Sequence, residues 1–358
     1  MKFIFRILLT PLGIFYLLAT VIRNKLFDYG ILRSERFSVP IISIGNLSMG
    51  GTGKTPHTEY LAQLIENKEQ PIAILSRGYK RKTKGFVLAT DQHTYEDIGD
   101  EPLQYKLKFN NSNIIVAVDS NRRRGIRKLM ELYPDLKAIL LDDAYQHRYV
   151  KAGLNILLSD YYSPFFKDRI LPFGNLREKR SGKKRADVVV VTKSPSVISP
   201  ITRRDITSKC KLHSHQHLVF SRIQYDQITS MKDNSRIPER TTFSTIFLFS
   251  GISNPYPLEQ HLKSYCIHLE KTRFPDHHGY SIHDIKKILY NFEAHLSTNK
   301  IIVTTEKDIM RLQTPGIMEL LSNYPVFFIP VRVEFDKNDK ETMHKIITDY
   351  VSKNQRNS

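Results

Sequence analysis

A parallel-sheet α/β fold with flanking helices, followed by a smaller C-terminal α/β domain, is predicted by three features of the sequence. Short apolar runs rich in β-branched residues alternate with longer helical stretches. Those runs are apolar along their whole length, as parallel strands buried on both faces must be. The chain is also 358 residues long, more than one hydrophobic core usually organises.

The first element is an almost unbroken apolar run over residues 7–22 (ILLTPLGIFYLLATVI), flanked by Lys2, Arg6, Arg23 and Lys25. A bilayer span takes about 20 apolar residues, and this run is shorter and interrupted by Pro11 and Gly13, so a transmembrane helix is not expected. A cleaved signal peptide is not expected either, because Arg23, Asn24 and Lys25 stand where small residues would mark the cleavage site. A buried core helix and a helix lying in the membrane interface remain. The basic flanks, able to sit on lipid phosphates, favour the interface, and residues 1–24 are assigned to it.

Six strands are then expected, at residues 40–46, 71–77, 113–118, 138–143, 154–160 and 187–193, within a core spanning 25–222. Residues 223–244 turn polar and lose periodicity, which reads as a linker. Strand-like runs resume with TIFLFSG, IIVTTEKD and VFFIPVRVEF, giving a C-terminal α/β domain over 245–358 with a frayed KNQRNS tail.

Lys and Arg outnumber Asp and Glu by 54 to 36, a formal charge of +18. Such an excess attracts nucleic acid, an anionic lipid surface or a phosphorylated substrate. No zinc-finger spacing or RNP-like aromatic pair is present, so nucleic acid is not expected as a partner. The two cysteines, Cys210 and Cys266, stand apart from each other and from any histidine at ligand spacing, which argues against a disulfide framework or zinc site and fits a reducing cytosol. No obligate protein partner is evident.

The strongest local signal follows the first strand: Gly50, Gly51, Thr52, Gly53, Lys54 and Thr55, a P-loop between a buried strand and a helix. Glycines let backbone N–H groups turn inward around phosphate oxygens, Lys54 reaches the β and γ phosphates of ATP, and Thr55 offers a hydroxyl to Mg2+. The usual spacing would place a further glycine where this chain has Ser48. A P-loop also needs an acid at the end of another apolar strand, and residues 138–141 run into Asp142 and Asp143. An Asp capping the next helix is the plainer reading, but the polar continuation through Gln146, His147 and Arg148 exceeds what a cap requires. Together the two motifs point to nucleotide hydrolysis or phosphoryl transfer.

Seven blocks in order, GGTGKTP, LSRGYKR, IGDEP, LDDAYQHR, GNLREKR, FPDHH and TTEKD, resemble the tetraacyldisaccharide 4'-kinase family. The family's signatures at those places are GGTGKTP, SRGYGR, GDEP, DDGFQHR, GPLRE, F-DHH and TEKDAVK. The resemblance implies a P-loop core joined by a short two-stranded linker to a smaller α/β domain. It implies transfer of the ATP γ-phosphoryl to the 4'-hydroxyl of a tetraacylated glucosamine disaccharide 1-phosphate, giving lipid IVA at the cytoplasmic face of a bacterial inner membrane. The departures Ala144, Tyr145, Lys80 and Asn175 remove no proton-transfer group and no charged phosphate ligand.

On the same resemblance Asp100 is the base that takes the hydroxyl proton, assisted by His277 from the other domain. Asp100 would equally suit an N-cap ahead of Glu101-Pro102. Thr55, Asp142, Asp143 and Glu178 are the expected metal-site residues. Arg177 is expected to neutralise charge on the transferred phosphoryl, with a plain salt bridge as its alternative. Gln146 and His147 line the cleft by analogy. Arg77, at the carboxyl end of a predicted strand, is expected on the substrate 1-phosphate, whereas the run Arg122 to Arg124 reads as a solvated face. A membrane-attached switch ATPase is the competing class, but it carries a signature lysine where this chain has Ser48 and Met49. A GTPase is disfavoured because the stretch from Thr192 to Pro195 lacks the closing Asp of a base-recognition motif.

Overall fold

A computed structural model describes residues 10–355. All six expected core strands form, because each is a continuous apolar run covered on both faces. They are β1 (Ile41–Asn46), β2 (Ile72–Ser76), β4 (Ile114–Val118), β5 (Ala138–Leu141), β6 (Leu154–Asp160) and β7 (Val188–Thr192), with the short β3 (Val87–Leu88) and the longer β8 (His217–Tyr225) added. A second set comprises β9 (Thr229–Ser230), β10 (Phe243–Ser250), β11 (Cys266–Arg273), β12 (Lys300–Thr305) and β13 (Val326–Ile329), and β14 (Val331–Phe335) closes the series.

The large sheet has nine strands in the order β14-β8-β7-β6-β1-β5-β2-β4-β3, and the small sheet five in the order β11-β10-β12-β13-β9. Seven strands of the large sheet, from β8 to β4, are parallel, with β14 and β3 antiparallel at its edges. Strand β1 therefore lies inside the sheet, between β6 and β5, and delivers its C-terminal end to the middle of the carboxyl edge. One face is covered by the Lys54–Ile65 helix together with the Lys337–Gln355 helix, through Leu61, Ile65, Met343, Ile347 and Val351. The other is covered by the Arg122–Leu132 helix through Ile126 and Leu129.

The run VFFIPVRVEF, read as one strand, is two. Pro330 has no N–H to give to a ladder, and the chain changes sheets there: β13 pairs with β12, while β14 pairs antiparallel with β8, Val331 opposite Tyr225. Residues 331–355, expected in the C-terminal domain, thus lie on the large sheet. The segment expected as a featureless linker contains the end of β8 and all of β9. The chain leaves the large sheet along β8 and returns along β14, so a two-stranded ribbon joins the two sheets.

An apolar cluster also bridges them, with Ile98, Leu103 and Val118 packed among Phe247, Phe249, Tyr280, Ile285 and Ile309. The tail expected to fray is helical through Gln355, and residues 356–358 lie outside the described part.

The N-terminal helix is described from Thr10 to Asp28, four residues beyond the expected end at 24, and residues 1–9 lie outside the described part. Gly13 has a packing reason, since a Cβ there would sit 2.0 Å from Pro172 Cδ. Ile14, Phe15, Leu18 and Ile22 are exposed. Their spacing puts them within one stripe of the helix. This solvent-facing apolar stripe is the reverse of a core helix. Among the described residues no helix is long and apolar enough to cross a membrane.

Candidate functional site

Strand β1 ends at Asn46, and the following loop is pinned from both sides. Asn46 Nδ2 donates to Thr52 Oγ1 at 2.8 Å, Met49 N donates to Asn175 O at 2.6 Å, and Arg177 N donates to Leu47 O at 2.7 Å. The GNLRE segment is therefore a strap across the loop. Gly53, which caps the Lys54–Ile65 helix, has φ 85°, a left-handed conformation that a side chain would strain. His57, one turn into that helix and buried, donates from Nδ1 to Gly53 O at 2.6 Å and accepts at Nε2 from the Ser221 hydroxyl of β8 at 2.8 Å. Burial pushes its pKa down to about 4, against the weaker upward pull of the Gly53 carbonyl. It stays neutral, tying the loop to the inter-sheet ribbon.

Strand β5 delivers Asp142 and Asp143 beside this loop. Asp142 is fully buried, and burial with the nearby charges of Glu101 and Asp143 raises its carboxyl to about 7. Asp143 has φ 45°, Lys54 Nζ lies 3.6 Å from its Oδ1, and Arg177 Nη1 lies 3.2 Å from both of its oxygens. Burial alone would raise Asp143, but Lys54 and Arg177 hold it below its ordinary value. In this state Arg177 makes the salt bridge that was its plainer reading.

The Arg122–Arg124 run is a solvated face only in part, with Arg124 exposed and Arg122 buried. Arg122 is buried and donates to the backbone of Asp119 and Asp142, Arg124 pairs with the buried Asp119, and Arg123 lies over the Tyr149 ring. Asn121 caps the helix, so its first turn is held inward against the end of β5.

Asp100 opens the Asp100–Lys108 helix, but Gly99 (φ 95°) occupies the cap position. The Asp100 carboxylate instead reaches the small-sheet unit. Its Oδ2 lies 2.8 Å from His277 Nδ1, 2.7 Å from Arg311 Nη2 and 3.1 Å from Arg311 Nε. Burial would raise this carboxyl, but the His277 hydrogen bond and the charges of Lys307 and Arg311 bring it well below the ordinary carboxylate range. His277 sits in the left-handed region at φ 57° and donates its backbone N–H to Gly251 O. Such a conformation in a non-glycine residue persists where its surroundings over-determine it. Beside the pair, Glu101 Oε1 accepts from the Thr55 hydroxyl at 3.2 Å and from Lys307 Nζ at 2.9 Å.

The remaining expected residues are Glu178, Gln146, His147 and Arg77. Both Glu178 oxygens are occupied: Oε1 by Arg185 at 2.7 Å and Gln146 Nε2 at 3.1 Å, Oε2 by Asn24 of the N-terminal helix at 3.0 Å. Gln146 Nε2 also donates to Asn46 O at 2.7 Å. His147 is held near pKa 4 by burial and by Arg122, Arg123, Arg23 and Arg77 around it. Its Nε2 is buried without a hydrogen-bond partner among the described residues. Arg77 is exposed at the end of β2.

The N-terminal helix is fastened to these loops by Tyr16 to Arg177 O, Arg23 to Gln146 O and Arg148 to Asn24 O. Between it and the strap runs a groove of about 560 Å3 lined by Ile14, Leu17, Ile170, Leu171 and Phe173, with Arg169, Lys179 and Arg180 on its rim.

Thr55, Asp142 and Asp143 offer hard oxygen donors, and Asp142, raised first by burial and then by its acidic neighbours, is a carboxyl short of positive charge. Among the described residues no three or more His, Cys, Asp or Glu side chains form a cage by themselves. Magnesium needs none, since it keeps waters and is commonly held by one or two carboxylates plus substrate phosphates. Sequence reasoning gave no role to His57, Arg122, Glu101, Lys307 or Arg311; the last two stand in or just after the TTEKD block, the one signal that could have flagged them.

Residues 5–351 match the family model for tetraacyldisaccharide-1-P 4'-kinase. The chain is 45% identical over 363 residues to the tetraacyldisaccharide 4'-kinase of Parabacteroides distasonis, covering 99% of this chain and 96% of that protein. It is 44% identical over 362 residues to that of Bacteroides thetaiotaomicron, covering 98% and 94%. Its fold is similar to a crystal structure of LpxK from Aquifex aeolicus, an "apo" form in complex with ATP, with TM-score 0.71, 29% identity and coverage of 97% and 99%.

Proposed function

The chain belongs to the tetraacyldisaccharide-1-P 4'-kinase family, and we propose from its own geometry which residues carry the reaction. The enzyme transfers a phosphoryl group from ATP to the 4'-hydroxyl of a tetraacyldisaccharide 1-phosphate, giving lipid IVA. The observation that carries the residue-level reading is the pair Asp100–His277, joined at 2.8 Å from opposite sheets beside the P-loop.

In this reading Gly50, Gly51, Thr52 and Gly53 present backbone N–H groups to the phosphates, and Lys54 leaves Asp143 to reach the β and γ oxygens. Thr55, Asp142 and Asp143 would hold Mg2+. Bound there, the ion would offset charge on the phosphate oxygens during transfer. Arg177, 3.2 Å from Asp143, is placed to turn toward the transferred phosphoryl. Asp100 accepts the hydroxyl proton, and His277 orients it. Glu178, with both oxygens engaged by Arg185, Gln146 and Asn24, is assigned to holding Gln146 and the N-terminal helix in place of the metal role expected from sequence. Gln146 in turn braces the P-loop strand at Asn46.

Arg77 and His147, within the arginine cluster, are assigned to the 1-phosphate of the substrate. The exposed apolar stripe of the N-terminal helix and the groove beside it are assigned to the lipid surface and to acyl chains. The protein is placed as a peripheral or monotopic enzyme at the cytoplasmic face of the inner membrane, where ATP is available.

The test is an assay of the detergent-solubilised protein with γ-labelled ATP, Mg2+ and the tetraacyldisaccharide 1-phosphate, beside Lys54→Ala and Asp100→Ala. Labelled bisphosphorylated lipid from the wild type and near-loss in both variants is expected. Undiminished labelling by Asp100→Ala overturns the base assignment, and ATP hydrolysis without lipid labelling overturns the acceptor.

A further inference from the structure

We propose that Arg311 is a positioning residue for the transfer, anchoring Asp100 by Oδ2 so that Oδ1 is the oxygen that takes the proton. The proposal rests on Asp100 being the base. Three donors crowd Oδ2: His277 Nδ1 and the Nε and Nη2 of Arg311. Oδ1 takes one, the backbone N–H of Glu101 at 3.0 Å. A carboxylate oxygen has two lone-pair sites, so Oδ2 is saturated and Oδ1 keeps a free one. The acceptor proton then passes to Oδ1 as the sugar O–P bond forms and the bond from the γ phosphorus to the β,γ-bridging oxygen breaks, releasing ADP.

Arg311 also holds the other half of the pair. Its Nη1 donates to Asp308 Oδ1 at 2.9 Å and to Gly251 O at 3.1 Å, and Gly251 O is the acceptor of the His277 backbone N–H. Asp308 is itself fixed by the Gly251 N–H, by Tyr280 at 3.0 Å and by Thr305 at 2.6 Å. One guanidinium, 2% exposed, thus spans from the base to the carbonyl that orients its partner histidine. The planar fork of Arg makes both contacts at once; the family's TEKDAVK signature has a lysine at this place, so a cation held beside Oδ2 is what the role requires.

Arg311→Lys and Arg311→Gln, made in the full chain and each combined with Asp100→Asn, test this. With Arg311→Gln, kcat is expected to fall about 10- to 100-fold, the scale of a small misplacement of a reacting group, with nucleotide binding and KM for ATP unchanged, whereas Arg311→Lys, which restores the residue of the family signature, is expected to keep most of the activity. In the Asp100→Asn background neither substitution should lower the residual kcat further. With Arg311→Gln the acid limb of the kcat profile should move to higher pH, because Asp100 loses a cation that keeps it low. An unchanged kcat with Arg311→Gln, an undiminished further loss in the Asp100→Asn background, or loss of nucleotide binding each overturns the proposal, the last by placing Arg311 in the fold. Wild-type turnover by Asp100→Asn alone sinks the base assignment, and this proposal with it.

Discussion

Lys307 Nζ lies 2.9 Å from Glu101 Oε1, the same oxygen that accepts the Thr55 hydroxyl at 3.2 Å. A cation of the small-sheet unit is therefore one side chain removed from the P-loop hydroxyl proposed to bind Mg2+. Burial would lower the Lys307 pKa, but Glu101 and Asp100 outweigh it and raise the group. Lys307→Met leaves Glu101 uncompensated beside Asp142. It is expected to lower stability by about 1–3 kcal/mol, the cost of an unmatched, largely buried charged group, and to reduce kcat. Thermal unfolding and the labelling assay measure the two effects; an unaltered melting temperature would show the pair to be dispensable.

Lys54→Ala is expected to abolish most transfer while leaving the fold intact, because Lys54 sits in partly charged surroundings that Arg177 can still satisfy at Asp143. A loss of about 100-fold or more in kcat matches removal of a preorganised cation from developing charge. Circular dichroism matching wild type, with transfer lost, is the expected pair of results.

His57 gives the protein an acid sensitivity whose sign follows from its burial. Its folded pKa is lowered from 6.5 to about 4, so the unfolded chain takes up a proton first and stability falls as pH drops from about 6.5 toward 4. The loss from this group alone is on the order of 3 kcal/mol at the acid end. His57→Gln should flatten the fall in melting temperature across that window. An equally steep fall would assign the sensitivity to other groups.

Asp100 acts in a lower window. Its folded pKa lies below its ordinary 3.8, so its contribution is present above that value and is lost as pH falls further. Asp100→Asn should therefore destabilise the protein at neutral pH and narrow the difference from wild type under strong acid, as read by denaturant unfolding at each pH.

Phe15→Glu with Leu18→Glu places two carboxylates in the exposed stripe of the N-terminal helix. Each lost apolar insertion is worth about 1.5–3 kcal/mol, so partition onto anionic vesicles should drop by at least about 100-fold while nucleotide binding is kept. Undiminished co-sedimentation would remove the stripe from the lipid contact.

The strands of the large sheet were legible because burial on both faces writes itself as an unbroken apolar run, as in VVVVT at β7. Strands β8 and β11 were missed for the opposite reason: HLVFSRIQY is half-exposed, and CIHLEKTR is an edge strand exposed over most of its length. The passage at Pro330 was invisible because a proline marks a break without saying which sheet each side will join. In the site, Lys54, Thr55, Asp142 and Asp143 could be read since their chemistry is local to one turn. The contacts of Asp100 with Arg311 and of Glu101 with Lys307 cross more than 200 positions, and no local pattern records a pairing of that range.

The Pro330 crossover also orders events in time. Because β14 and the helix that covers the P-loop face are translated after the whole small-sheet unit, the nine-stranded sheet cannot be complete while the chain is still short of residue 335. Until then β8 has an unpaired edge, the kind that invites wrong partners. The small-sheet unit is made during that interval, so the nucleotide-binding half of the nascent protein is finished only after the half that supplies His277.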